Sequence, residues 1–118
     1  MNMEYEVTIK KSVGTCESEL FKEMVKNGDL ETTKINKVVG GKYLFTGYAD
    51  CEVKAKGKKF NITYYATDDG FISTGSDVFK KSVEKYMNYN KKLKVIEITT
   101  DNGTTYKAIP ILGENNEE

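Results

Sequence analysis

Four lysines, Lys54, Lys56, Lys58 and Lys59, crowd six consecutive positions, and Tyr48 and Tyr65 flank them. Ammonium groups meet phosphates and flat rings stack on bases, a combination that suits a single nucleic-acid strand. Lysine contacts phosphate without reading sequence. The chain has no arginine, hence no guanidinium fork to read guanine. It also has no histidine, which removes the commonest general base and metal ligand and every Ser-His or Cys-His nucleophile. Asp68 and Asp69, with Asp101, are the candidates for a carboxylate-only metal site, but Asp-Asp-Gly at a strand end reads as a turn. The expectation is a binding protein with no catalytic residues, no metal and no cofactor.

The lysines and tyrosines need a scaffold, and residues 46–67 supply one as a long β-hairpin. Lys56-Gly57 forms the two-residue turn, where glycine accepts a positive φ. This turn sets the register. Val53 faces Phe60, Cys51 faces Ile62, and Ala49 faces Tyr64, giving an apolar core face. The other face pairs Lys54 with Lys59, Glu52 with Asn61, Asp50 with Thr63, and Tyr48 with Tyr65, and is expected to meet solvent. A plainer account exists: tyrosine is a good strand residue, and lysines keep hairpin tips from aggregating.

The 118 residues suffice for one domain with a modest core, 38% apolar and 31% charged. No apolar run is long enough for a membrane helix, and M-N-M-E-Y-E does not begin a signal peptide, so the cytoplasm is expected. Cys16 and Cys51 lack metal or redox spacing; Cys51 reads as a buried small hydrophobe. Net charge is zero, but Glu114, Glu117 and Glu118 close the chain, leaving 18 positive and 15 negative charges, a net of +3, over residues 1–112. The local patch matters more than the total.

Along the chain, residues 4–11 alternate as a half-buried strand, and residues 17–27 form an amphipathic helix that Gly28 caps. Residues 30–39 offer a short strand, and Gly40-Gly41 a turn. Tyr43 onward climbs into the hairpin, with Gly47 marking a bulge or bend. A third strand covers residues 71–74. Ser76 or Asp77 caps a second helix whose stripe is Val78, Phe79, Val83, Tyr86 and Met87. Residues 93–100 and 104–112 make a second hairpin about Asp101-Asn102-Gly103, with Ile96, Ile98, Ile109 and Ile111 assigned inward. Residues 113–118 read as a disordered acidic tail.

From residue 42 the order is β-β-β-α-β-β, that of the five-stranded OB-fold barrel, whose helix lies between its third and fourth strands. The expected fold is therefore mainly β with one or two helices: an OB-fold-like barrel over 1–112, with residues 1–40 as a strand-helix extension packed on it. A small open α+β sheet shares this order. The chain also resembles small single-stranded DNA-binding proteins encoded by phages of lactococci and related Gram-positive bacteria. The likeness covers most of the chain. It rests on size, Y-L-F-T-G-Y, N-I-T-Y-Y, the lysine-bearing hairpin, the helix after G-S-D and the acidic end. It implies protection of phage replication or recombination intermediates in the host cytoplasm. It also implies a homo-oligomer, dimer first, and replication or recombination proteins as further partners. One departure is the tail G-E-N-N-E-E, which lacks the Pro-Phe pair by which bacterial single-strand binders recruit partners. On this reading Lys42, Lys54, Lys56, Lys58, Lys59, Lys94 and Lys107 meet phosphates. Tyr48, Tyr65, Phe71 and Tyr106 stack bases, and Asn61 lies on the same face. The alternative is a protein-interaction module, such as a phage inhibitor of a host protein, using the N-terminal strand edge.

Overall fold

The Lys56-Gly57 turn organises the molecule as the sequence requires. Both residues take positive φ, 54° and 78°, the twist that a tight hairpin needs. They join strands Phe45–Ala55 and Lys58–Thr67, and every expected pair is found, from Lys54 opposite Lys59 to Tyr48 opposite Tyr65. The computed structural model describes residues 5–112; the acidic tail over 113–118 and the expected strand start at residue 4 lie outside them.

In chain order the strands are β1 (Tyr5–Gly14), β2 (Thr33–Lys34), β3 (Lys42–Tyr43), β4 (Phe45–Ala55), β5 (Lys58–Thr67), β6 (Gly70–Thr74), β7 (Leu93–Thr100) and β8 (Gly103–Pro110). The helices are α1 (Glu19–Asn27) and α2 (Asp77–Tyr86). The protein is mainly β with two helices, but its sheets do not close into the expected barrel. They form a five-stranded sheet, β1-β4-β5-β6-β2, and a three-stranded sheet, β3-β7-β8. The outer edge of β6 is taken by β2, in parallel, so the last strand does not reach it.

Residues 5–14 are no appendage. β1 pairs along β4 from Tyr5 opposite Ala55 to Gly14 opposite Gly47, with a bulge between Ile9 and Lys11. Two glycines allow the far end. A Cβ on Gly47 would lie 2.4 Å from the Val13 carbonyl oxygen and one on Gly14 2.1 Å from that of Thr46, closer than any side chain permits. The expected irregularity at Gly47 is present as a register shift between Phe45 and Gly47.

Both faces of the large sheet are covered. On one, Phe21 and Val25 of α1 pack on Val7, Ala49, Cys51, Val53 and Ala66. On the other, Phe79 and Val83 of α2 join Leu93, Val95 and Ala108 of the small sheet over Tyr48, Tyr65 and Ile72. Local signals place the helices. Ser18 and Ser76 accept the N–H groups of Phe21 and Phe79, each at 3.1 Å, and Gly28 ends α1 at φ 74°.

The second hairpin is present, with Gly103 already in its second strand opposite Thr100, but the inward face is the other one. Leu93, Val95 and Ala108 are buried, whereas Ile96, Ile98, Ile109 and Ile111 are half-buried. Both faces of β7 are apolar, so alternation alone did not choose between them. Within the second helix's expected stripe, Val78 is exposed.

Candidate functional site

At the β4–β5 tip, residues 54–59 ring a hollow of about 400 Å³. Lys54, Lys56, Lys58 and Lys59 are all exposed. Lys59 reaches the Glu52 carboxylate at 3.6 Å; among the described residues no carboxylate pairs with Lys54, Lys56 or Lys58. Asn61 is exposed on the same stretch, and Phe60 is 49% exposed beside the lysines. Phe60 was assigned to the core and does stand opposite the buried Val53, but near the hairpin end it stays half-exposed and outside the cluster that packs on α1.

The expected stacking rings are elsewhere. Tyr48 and Tyr65 face each other, with ring centres 6.3 Å apart, but they are 4% and 0% exposed. α2 and the small sheet form a second layer over the face that was expected to meet solvent. Tyr65 packs 5.1 Å from the Phe79 ring and 6.0 Å from that of Phe45. Among the described residues its hydroxyl makes no hydrogen bond, and burial, only partly offset by the Thr63 side chain, pushes its pKa upward. Tyr48 donates to the Glu84 carboxylate at 2.9 Å; burial first, then this bond, raises its pKa. Phe71 is half-buried against Phe21, 5.7 Å between centres, and Tyr106 is half-buried against the α2-side core. Tyr48 and Tyr65 therefore present no open face for a base, while Phe71 and Tyr106 stay partly exposed.

The remaining expected lysines form a separate group. Lys42 stands opposite Lys94 across β3 and β7, and Lys107 stands opposite Ile96 on the same outer face of the small sheet. The 11-residue β4 separates this group from the tip by roughly 35 Å at ~3.4 Å per residue. One patch thus becomes two.

The acidic candidates are structural. Asp68 clamps the corner between β3 and β4: its carboxylate accepts the Leu44 N–H at 3.0 Å, its own N–H donates to the Leu44 carbonyl at 3.0 Å, and Lys92 lies 3.5 Å away. The Asp69 N–H donates to the Thr67 hydroxyl in the turn, and Asp101 lies in the turn between β7 and β8. Among the described residues no three histidine, cysteine, aspartate or glutamate side chains gather as a metal would require. No described helix is long and apolar enough to cross a membrane.

A further cationic cleft escaped the sequence reading. Between β1 and α1, a hollow of about 440 Å³ is lined by Lys10, Lys11, Lys22 and Lys26. The available signal was Lys22 and Lys26 at i,i+4, a spacing that puts both on one helix face. What local sequence could not show is that α1 lies against β1. No family model, curated protein or solved structure matches this chain.

Proposed function

We propose that the protein binds single-stranded nucleic acid without sequence preference and without catalysis, through lysines at the β4–β5 tip. The supporting observation is the tip itself: four exposed lysines on a projecting arm, one of them paired, with a half-exposed Phe60 beside them. Like charges crowded on facing strands destabilise a hairpin, and a polyanion relieves that cost. Phe60 takes the stacking role expected of Tyr48 and Tyr65. On the resemblance, the strand is a phage replication or recombination intermediate and the binder is a homo-oligomer, a dimer first.

A second reading has its own observation. The outer edge of β1 pairs with no strand among the described residues, and an open edge can accept a partner's strand, as a phage inhibitor of a host protein would use it.

Fluorescence anisotropy with a labelled dT oligomer of ~30 nucleotides tests the first reading. With about five lysine–phosphate contacts, affinity falls as roughly the 3.5 power of salt concentration, at ~0.7 per contact. Lys56→Asn with Lys58→Ala is the variant of choice, because asparagine tolerates the positive φ at position 56. It should fold at least as well as the wild type yet lower the slope by about 1.4. Absence of binding at low salt, or preference for duplex, overturns the reading. A salt-insensitive pull-down of one host protein without DNA affinity selects the second.

A further inference from the structure

We infer that the β1–α1 cleft is a second phosphate-binding locus, engaging the same single strand downstream of the hairpin tip; this rests on the reading just given. Lys10 of β1 and Lys22 and Lys26 of α1 line a hollow of about 440 Å³ whose lining contains no carboxylate; Lys11 borders it too, but its ammonium lies over the Tyr48 ring on the α2 face. Among the described residues no carboxylate pairs with Lys10, Lys22 or Lys26. Lys11 lies 5.7 Å from the centre of the Tyr48 ring, whose hydroxyl raises the pKa of its ammonium.

Lysines and a bulge on an edge strand guard it against aggregation. That accounts for Lys10 and Lys11. It does not account for Lys22 and Lys26. These stand at i,i+4 on α1, where like charges destabilise the helix, and they are turned to the same cleft. Thr8 and Ser12 add hydroxyls to the lining. The open edge of β1 adds backbone N–H groups at alternate positions. Ammonium, hydroxyl and amide donors without a competing acid are what a phosphodiester chain requires.

The position fits one continuous strand. β1 starts opposite Ala55 at the tip, and Lys11 lies opposite Asp50. Five residues at ~3.4 Å put the cleft about 17 Å from the tip along one sheet edge. That equals about five phosphates at the duplex rise per strand, and fewer for a stretched one.

The test compares full-length wild type, Lys22→Ala/Lys26→Ala, and a charge-matched control, Lys34→Ala/Lys37→Ala. The control lysines lie at or beside β2, on the opposite edge of the sheet. Anisotropy with the dT oligomer is followed from roughly 50 to 200 mM salt. The cleft variant should lose about 1.4 from the salt slope, so that wild-type affinity falls about sevenfold more over that range, and the control should keep the wild-type slope. Amide shifts of residues 8–12, 22 and 26 in wild type on adding the oligomer report the same contact without mutation. A cleft variant that matches wild type with those amides unmoved, or a control that falls equally, overturns the cleft and leaves the tip reading standing. Absence of wild-type binding at low salt overturns both.

Discussion

Tyr65 carries the largest revision of role in the molecule. It is fully buried at the centre of an aromatic cluster, and among the described residues its hydroxyl makes no hydrogen bond. An orphaned buried hydroxyl costs free energy that its removal returns. Tyr65→Phe should therefore leave stability unchanged or raise it by up to about 1 kcal/mol in urea unfolding. Tyr65→Ala should cost about 3–5 kcal/mol, the range for emptying an aromatic site in a core. A loss of DNA binding in the alanine variant would then report unfolding, and Tyr65→Phe is the variant that separates the two. Alternation correctly showed that Tyr48 and Tyr65 share a face. It could not show that the face has a lid, because tyrosine suits solvent and core alike.

At the scale of elements, the Ser82 side chain adds a hydrogen bond to the packing of α2 on β8. The Ser82 hydroxyl donates to the Phe79 carbonyl at 2.7 Å and accepts the Ala108 N–H at 2.9 Å. Ala108 is 0% exposed, so no water replaces a lost partner there. Ser82→Ala should cost about 1–3 kcal/mol in urea unfolding and speed hydrogen exchange at the Ala108 amide. Residues 76–82 carry the helix's start legibly, since Ser76 is a capping residue and Phe79 and Ser82 follow at helical spacing. They do not carry its docking partner, which lies 26 residues further on. The same division runs through the chain. The Lys56-Gly57 turn and Gly28 were readable because their cause is local. The pairing of β1 with β4, and the cationic cleft that follows from the packing of α1 beside it, have their causes some forty residues away in sequence.

For the whole molecule, two buried thiols tie stability to pH. Burial pushes Cys16 up to about 11 and Cys51 up to about 12, against about 8.5 in an unfolded chain. The folded state keeps these protons after the unfolded state has released them. Stability from this source is complete below about pH 8.5 and falls as pH rises toward 11. Urea midpoints should drop across that window, and Cys51→Ala should flatten the drop.

The corner at Leu44 has a consequence for inheritance. β3 and β4 are successive stretches of one chain segment, 42–55, yet they belong to different sheets, and Asp68 and Lys92 fasten the bend from two other segments. A recombination event that breaks at residue 44 would part β3 from β4 and disturb one of the two neighbours of β7 together with the Asp68 clamp. A chimera that replaces one sheet without the other should therefore unfold at lower urea than one that replaces both.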